Sequence, residues 1–477
     1  MYSRITRKAP MDRLFTLAEA REMTRFELAA PVDDLDARDV VDVQVDSRKV
    51  SKGSLFIALP GQMTDGHRFL SQAAASGSAA LAVNRRWYEE EGQRRSFSIP
   101  VLVVEDTLTF LQDLAAAWLG RSARMCKIGI TGSNGKTTTK EIVYAILNEL
   151  GPTVKNEGNL NSEIGLPLAA FGARSSDRFG VFEMGVNHPG EMDQMVRVLR
   201  PSCALINNIG TAHIGLLGGR EGIAREKGRL FEALPRDGRG FIPEKFQWSE
   251  YYHSISAAPL STFGPESTEG VTRIEGHGLS GWSFDYFGER VRLNLPGRHN
   301  LLNALGAISL TRYVGAGVQE VVRGLAKVAP VTGRSQVIDG ALRIVQDAYN
   351  ANAESVAAML ETLAEEKAPE KIVLVIGAMK ELGAGSEEAH RSVGARICEL
   401  DPRAVFLFGQ ETAFTKDELE RRGFEGRAVF ETDFEQLSRK LLDTVQPGDT
   451  VLLKGSRSMK LERLIPLLDK FAAKAEA

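Results

Sequence analysis

The chain has 477 residues, of which 43% are apolar and 25% are charged, and its formal net charge is −3. This length is too great for one hydrophobic core and predicts about three domains. The small net charge gives no electrostatic reason to expect nucleic acid or an anionic membrane as a partner. The apolar runs all fall short of the roughly 20 residues that span a bilayer. The three cysteines are far apart and lack metal-site spacing, so we expect core thiols in a cytoplasmic protein without membrane insertion.

The first 121 residues are predicted to form a small α/β domain of short strands alternating with helices. A short amphipathic helix is expected within residues 12–28, and alternating residues predict a half-buried strand at 41–50. A second strand is predicted at 54–59. Ser47 and Arg48 lie near the end of the first strand, where they could contact an anionic ligand. A solvated Ser–Arg pair is an equally good interpretation of these two residues.

A glycine-rich turn dominates the next block, residues 122–328. Residues 127–131 are typical of a buried strand and residues 141–147 have helical spacing. Between them lie Gly132, Ser133, Asn134, Gly135, Lys136, Thr137 and Thr138. This arrangement binds phosphate through loop N–H groups and the helix N-terminus, while Lys136 reaches the outer phosphates and Thr137 offers Mg²⁺ a hydroxyl. Ile130 stands where the usual pattern has glycine, so a surface turn is the alternative, but the flanking elements favour an ATP site.

Three further residues of this block have side chains suited to metal chemistry. Glu183 ends a predicted buried strand, where a carboxylate is costly unless it binds a cation or a donor. His213 follows the strand predicted at 204–210, and Lys227 lies in a helical segment. The simpler interpretations are a capping or salt-bridged glutamate, a structural histidine and a solvated lysine.

The C-terminal block begins near residues 329–333, where proline and glycine mark a boundary. Buried strands are predicted at 342–347, 372–377, 404–409 and 450–455, and helical segments separate them. This alternation is typical of a doubly wound parallel sheet.

In their order and spacing these motifs resemble the Mur ligase family, the ATP-dependent amide-forming enzymes of bacterial cell-wall precursor synthesis. The resemblance covers residues 46 to about 462. The matching features are the shortened phosphate loop, Glu183, the segment ending at His213, the Ala-x-x-Lys-Gly around Lys227, Gly297-x-His299-Asn300-x-x-Asn303, Gly333-Arg334 and the run from Asp347 to Asn352. The family's α/β fold implies an N-terminal UDP-substrate domain (1–121), a central P-loop parallel-sheet ATPase domain (122–328) and a C-terminal Rossmann-like, doubly wound domain (329–477).

Within the family, the C-terminal motifs are similar to those of members that add D-alanyl-D-alanine to UDP-N-acetylmuramoyl-tripeptide. These motifs are residues 349–352, 377–383 and 454–457. The D-N-P-R stretch expected of diaminopimelate-adding members does not occur in the sequence. The resemblance implies an ADP-forming ligase that works through an acyl phosphate in peptidoglycan precursor synthesis, and a monomer is expected. Two alternatives are a sister amide ligase, acting on another muramoyl peptide or on a folate, and a nucleotide-binding switch without ligation.

The resemblance also implies residue roles. Phosphate-loop residues 132–138 would bind the phosphates of ATP. Asn300 and Asn303 would lie beside the adenine, Arg334 would clamp phosphate and Asp347 would hold the ribose. Thr137 and Glu183 would bind one Mg²⁺, and His213 and a carbamylated Lys227 would serve a second. The catalytic set implied is Lys136, Glu183, His213, Lys227 and Arg334. The substrate-binding set implied is Ser47 and Arg48 at the UDP end, Asn159, Asn161 and Glu163 along the muramoyl-peptide channel, and Tyr349, Asn350 and Asn352.

Overall fold

The structure is a computed structural model that describes residues 13–30, 34–61, 64–211 and 214–475. Its internal contacts divide the chain into two compact units. The first comprises the described residues of Met1–Lys127 together with Val154–Met184 and Glu191–Arg200. The second comprises Ile128–Thr153, Gly185–Gly190 and the described residues of Pro201–Ala477.

The N-terminal part of the first unit is a five-stranded sheet in the order β2-β7-β6-β5-β4, with a two-stranded ribbon of β1 and β3. Strands β4 to β7 run parallel and β2 is antiparallel to β7. The strands are β1 (Phe15–Thr16), β2 (Glu27–Leu28), β3 (Asp39–Val40), β4 (Asp42–Gln44), β5 (Ser54–Ile57), β6 (Ala80–Asn84) and β7 (Val101–Val104). The helices are α1 (Leu17–Met23), α2 (Leu70–Ala75), α3 (Arg85–Glu90) and α4 (Thr107–Gly120).

Two elements predicted in this region are shorter in the structure than the sequence pattern indicated. The helix expected within residues 12–28 is only α1, because Thr16 and Glu19 form a capping box that fixes its start. The strand expected over 41–50 is only β4. It ends because the Asp46 side chain accepts the backbone N–H of Arg48 and turns residues 47–49 into a short 3₁₀ helix.

The first unit also contains β9 (Thr153–Lys155), apart from its first residue, β10 (Phe179–Glu183), α6 (Gly165–Ala170) and α7 (Glu191–Leu199). The side chain of Gln112 on α4 joins these parts. Its Nε2 donates to the backbone oxygen of Glu163 (3.0 Å) and to Oε1 of Gln194 on α7 (2.9 Å). The loop after β9 is therefore held against the last helix of the N-terminal region.

The second unit begins with a parallel sheet in the order β13-β12-β11-β8. A three-stranded antiparallel meander, which the sequence pattern did not predict, follows it. The strands are β8 (Cys126–Thr131), apart from its first two residues, β11 (Cys203–Ile206), β12 (Arg239–Pro243), β13 (Leu260–Phe263), β14 (Val271–Gly276), β15 (Trp282–Tyr286) and β16 (Glu289–Leu293). The helices are α5 (Lys136–Leu150), α8 (Ile214–Leu217), α9 (Gly219–Glu232), α10 (Ser249–Ile255), α11 (Arg298–Tyr313) and α12 (Val318–Ala326).

The C-terminal sheet of the second unit has the order β17-β18-β22-β19-β20-β21, with only its edge strand β17 antiparallel. Its strands are β17 (Gln336–Ile338), β18 (Arg343–Asp347), β19 (Ile372–Gly377), β20 (Ala404–Phe408), β21 (Arg427–Glu431) and β22 (Thr450–Lys454). Its helices are α13 (Ala353–Ala364), α14 (Ser386–Leu400), α15 (Ala413–Arg422), α16 (Phe434–Leu442) and α17 (Ile465–Ala475).

Helices cover both faces of this C-terminal sheet. Met359 of α13 and Val393 of α14 belong to one apolar core, and Leu437 of α16 and Leu468 of α17 belong to the other. Strands buried on both faces are continuously apolar, which is why the sequence pattern identified them. The prediction of a doubly wound C-terminal domain is confirmed. Among all the residues described, no helix is both long and apolar enough to cross a bilayer.

Candidate active site

The phosphate loop lies where β8 ends and α5 begins. Gly135 is the N-cap residue of α5 and has φ of +83°. Lys136, the first residue of the helix, folds back so that its Nζ donates to the backbone oxygen of Gly132 (2.8 Å). The backbone of Asn134 is held by Asn208, whose Oδ1 accepts the Asn134 N–H (2.9 Å) and whose Nδ2 donates to the Asn134 carbonyl (3.2 Å). The strand–turn–helix context that a phosphate site requires is therefore present.

A chain of buried amide side chains ties this loop to α11. The Nδ2 of Asn207 donates to Thr139 Oγ1 and to Asn303 Oδ1, both at 2.6 Å. Asn303 in turn donates to Asn300 Oδ1 (3.2 Å), and Asn300 donates to the carbonyl of Pro296 (2.7 Å). The two asparagines that the resemblance assigns beside adenine are thus brought to the phosphate loop.

The side chains of Asn207 and Asn208 were not identified as site residues from the sequence. Their position in the sequence could have identified them, because both follow β11 at the carboxyl end of a parallel sheet, where ligands bind.

The start of α13 also contacts the loop. Asn352, the N-cap of α13, exchanges two side-chain hydrogen bonds with Asn134, at 3.0 and 3.4 Å. In the first turn of the helix, Glu354 accepts a hydrogen bond from the hydroxyl of Thr211 (2.6 Å). Asn352 was predicted to bind substrate, and the structure places its side chain against the phosphate loop.

A second group of predicted residues gathers at the carboxyl end of β18. The Arg334 guanidinium lies 4.0 Å from the centre of the Tyr349 ring, a cation–π contact. Asp347 accepts the backbone N–H of Ser335 (3.0 Å) through Oδ1 and the Nζ of Lys454 (2.6 Å) through Oδ2. Lys454 is only 1% exposed, so Asp347 supplies the charge that such a buried ammonium requires. The family resemblance had implied only a contact of Asp347 with the ribose.

Two polar atoms near this group are buried without a hydrogen-bond partner within the described part of the chain. They are Nδ1 of His299 and Nε of Arg334. Burial penalises the charged imidazole and lowers the pKa of His299, so the ring is neutral at neutral pH. Unpartnered buried polar atoms are costly, and a nucleotide with its phosphate and hydroxyl groups would supply partners for them.

Lys227 is buried on α9, with 2% of its surface exposed, which excludes the interpretation as a solvated lysine. Its neighbour Glu226 accepts the backbone N–H of Gly190 with both carboxylate oxygens at 3.0 Å. His213 lies outside the described residues. Within the residues that are described, no group of three or more His, Cys, Asp or Glu side chains is arranged to hold a metal. The second-metal assignment stays a prediction.

Glu183 of the first unit is the last residue of β10 and is 2% exposed. Its Oε1 accepts a hydrogen bond from Nδ2 of Asn161 (2.6 Å). Within the predicted peptide-binding segment, Asn159 is exposed, and the backbone oxygen of Glu163 accepts the bond from Gln112. The carboxylate is thus hydrogen-bonded to the segment that the resemblance assigns to the muramoyl peptide.

Ser47 and Arg48 lie in the 3₁₀ turn after β4. The Ser47 hydroxyl donates to Oε1 of Gln72 (3.2 Å), and Arg48 forms a two-point ion pair with Asp46 at 2.9 and 2.8 Å. These hydrogen bonds from Arg48 lower the pKa of Asp46 to about 2. The Arg48 side chain is 83% exposed, and its role at the UDP end stays a prediction.

The fold and the loop define a P-loop nucleotide-binding α/β protein with a doubly wound C-terminal domain. Three family models match the chain: "Mur ligase family, catalytic domain" at residues 40–119, "Mur ligase middle domain" at 130–311 and "Mur ligase, glutamate ligase domain" at 333–457. The chain belongs to the Mur ligase family. The resemblance inferred from the motifs is confirmed, and with it the three-domain fold.

Two relatives illustrate the similarity in sequence. The UDP-N-acetylmuramoyl-tripeptide–D-alanyl-D-alanine ligase of Treponema pallidum is 38% identical over 441 residues, 91% of this chain and 95% of the relative. The ligase of the same name from Escherichia coli is 34% identical over 95% of this chain and 98% of its own length.

Solved structures show the same likeness. MurF from Acinetobacter baumannii superimposes with a TM-score of 0.86 at 30% identity, covering 97% of this chain and all of the other. MurF ligase from Thermotoga maritima, solved in complex with ADP, gives a TM-score of 0.77 at 27% identity. It covers 91% of this chain and 98% of the other.

Proposed function

We propose that this chain is an ATP-dependent ligase that joins D-alanyl-D-alanine to UDP-N-acetylmuramoyl-tripeptide and releases ADP and phosphate. One observation carries the proposal. A phosphate loop with its amide network lies in a chain that aligns over nearly its whole length with ligases of that name. Because ATP and UDP-linked precursors are cytoplasmic metabolites, we propose a cytoplasmic enzyme, and we propose that it acts as a monomer.

In the first step the terminal carboxylate of the tripeptide attacks the γ-phosphorus of ATP. A P–O bond forms, the bond to the ADP oxygen breaks, and an acyl phosphate results. The protein contributes mainly position and charge to such a transfer. Lys136 and the loop N–H groups hold the β- and γ-phosphates, and Arg334 supplies a further positive charge from the C-terminal domain. Lys136 now donates to loop carbonyls, and it would exchange these bonds for phosphate oxygens.

Divalent cations fit the oxygen donors of the predicted set. The Thr137 hydroxyl and the Glu183 carboxylate are hard ligands of the kind that Mg²⁺ prefers, and both side chains are largely buried. When bound, Mg²⁺ would neutralise charge on the phosphate oxygens. We propose that His213 and Lys227 serve a second Mg²⁺ and that Lys227 is carbamylated, since a buried carbamate is an anionic oxygen ligand whereas an ammonium repels the metal.

In the second step the free amine of D-alanyl-D-alanine attacks the acyl carbonyl. The C–N bond forms, the C–O bond to the phosphate breaks, and the proton lost by the amine balances on the released phosphate. Tyr349, Asn350 and Asn352 lie on the loop between β18 and α13, and we assign them to the substrates at this stage. Water would hydrolyse the acyl phosphate, so the C-terminal domain has to close over the reacting groups.

The test is coupled ADP release by the purified full chain with UDP-N-acetylmuramoyl-tripeptide. ADP release should require D-alanyl-D-alanine, and glutamate, lysine or diaminopimelate should not replace it. Lys136→Ala should abolish turnover, while Lys245→Ala, which removes an exposed ion pair with Glu266, should not. Activity with another amine or with a folate acceptor would assign a sister ligase. ADP release independent of any amine would favour a nucleotide switch.

A further inference from the structure

Two asparagines hold Glu183 in place. Asn156 forms hydrogen bonds with its backbone, and Asn161 donates a hydrogen bond to its side-chain carboxylate. Asn156 follows β9 directly and is 1% exposed. Its Oδ1 accepts the backbone N–H of Glu183 (2.9 Å), and its Nδ2 donates to the backbone carbonyl of the same residue (3.0 Å). The side-chain amide therefore occupies both backbone groups of Glu183, as a neighbouring strand would do.

The same Nδ2 makes a further hydrogen bond that shapes the loop. It donates to the backbone carbonyl of Leu160 (2.7 Å) and so closes the turn of residues 157–160. The next residue is Asn161, whose Nδ2 donates to Oε1 of Glu183 (2.6 Å). The buried amide of Asn156 thus fixes both the end of β10 and the loop that carries Asn161.

This geometry suits a residue that must hold a cation in one place. An amide N–H on one carboxylate oxygen restricts rotation about the terminal torsion of the glutamate, and an ionised carboxylate offers about four lone-pair sites to donors and metal ions together. Partners that orient a metal ligand are worth 10–100-fold in metal affinity in typical sites.

We infer that Asn156 and Asn161 are positioning residues that orient the Glu183 carboxylate for a divalent cation. The inference rests on the proposed function for the role of Glu183. It gives Asn161 a role other than the contact with the muramoyl peptide that the family resemblance implies. Neither residue touches the reacting atoms in this role.

The experiment measures binding of Mn²⁺, a spectroscopic substitute for Mg²⁺, by electron paramagnetic resonance with ADP and without tripeptide or amine. Asn161→Ala and Asn156→Asp are compared with the parent chain. The aspartate retains the acceptor for the Glu183 N–H but loses the donor to two carbonyls. Asn294→Asp is the control, because Asn294 is exposed and accepts only a bond from Arg292 in the structure described.

We expect the Kd of Mn²⁺ to rise about tenfold or more in both variants and to stay at the parent value in Asn294→Asp. In ligation assays the Mg²⁺ concentration for half-maximal rate should rise likewise. Saturating Mg²⁺ should restore kcat of Asn161→Ala, with the KM for the UDP-tripeptide unchanged.

An unchanged Mn²⁺ affinity in Asn161→Ala overturns the inference, and so does a rise confined to the KM for the UDP-tripeptide, which would assign Asn161 to the peptide. If Asn156→Asp does not fold, Asn161→Ala alone decides, because its side chain bonds to the carboxylate and not to the backbone. Since the binding measurement uses only ADP and Mn²⁺, its outcome is separate from whether the chain ligates D-alanyl-D-alanine.

Discussion

Replacing Gly135 by alanine should disable the nucleotide site by displacing a side chain on another helix. A Cβ at this position would lie 2.4 Å from Oδ1 and 2.8 Å from Nδ2 of Asn303, so the amide has to move. Asn303 accepts the bond from Asn207 and donates to Asn300, and both bonds would be lost or distorted.

The cost has two parts. A left-handed alanine costs about 1–2 kcal/mol, because Cβ crowds the following carbonyl. Each buried amide left without its partner adds about 1–3 kcal/mol. We expect Gly135→Ala to lower the free energy of unfolding by about 2–5 kcal/mol in all, the sum of the backbone share and one unpartnered amide. For a domain near 200 residues this corresponds to a melting temperature roughly 4–20 °C lower.

Gly448→Ala is the matched control. Gly448 has φ of +87°, close to that of Gly135, and within the described chain an added Cβ would meet no atom within 4 Å. This variant should lose only the backbone share of about 1–2 kcal/mol. The difference between the two variants therefore isolates the contact with Asn303.

The assay is thermal unfolding of both variants with and without Mg–ADP. ADP at 100 times its Kd stabilises the parent by about 2.7 kcal/mol. We expect this increment to persist in Gly448→Ala and to vanish in Gly135→Ala. If the two variants melt at the same temperature and gain equally from ADP, the amide network does not support the nucleotide site.

Three further predictions follow from contacts in the C-terminal region. Arg334→Ala should lower kcat severely, while the free energy of unfolding changes by no more than about 1–2 kcal/mol, the value of its cation–π contact. Equal activity of purified variant and parent would contradict a catalytic role for Arg334. Asp347→Asn leaves a buried ammonium without its counter-charge, so chemical denaturation should show a loss of about 3 kcal/mol, and an unchanged midpoint would refute the pairing. Hydrogen bonds from Arg421 and Arg422 lower the pKa of Glu418 from 4.5 to about 2, so this carboxylate stabilises the fold above pH 4.5 and the stabilisation is lost as the pH falls towards 2. In an acid titration from pH 4.5 to 2, Glu418→Gln should therefore lose less stability than the parent chain. Equal losses in variant and parent would contradict the stabilising role of the Glu418 ion pairs with Arg421 and Arg422.

The sequence alone determined the features whose signal is local. The four apolar runs of the C-terminal block appear as parallel strands because strands buried on both faces need unbroken apolar sequence. The phosphate loop was recognisable for a similar reason, since its strand, turn and helix are consecutive in the chain. Glu183 was noticed because a charged residue at the end of an apolar strand is locally anomalous.

Only the tertiary structure decided which polar groups meet. Asn207 and Asn303 are 96 residues apart, and Asp347 and Lys454 are 107 apart. The local sequence around each of these residues therefore does not indicate its hydrogen-bond partner. The sequence pattern did not single out Asn156, yet two of its hydrogen bonds hold the end of β10 and another closes the turn at Leu160. Periodicity reports which face of an element is buried, whereas hydrogen bonds between distant side chains depend on how the elements pack, which a one-dimensional pattern does not encode.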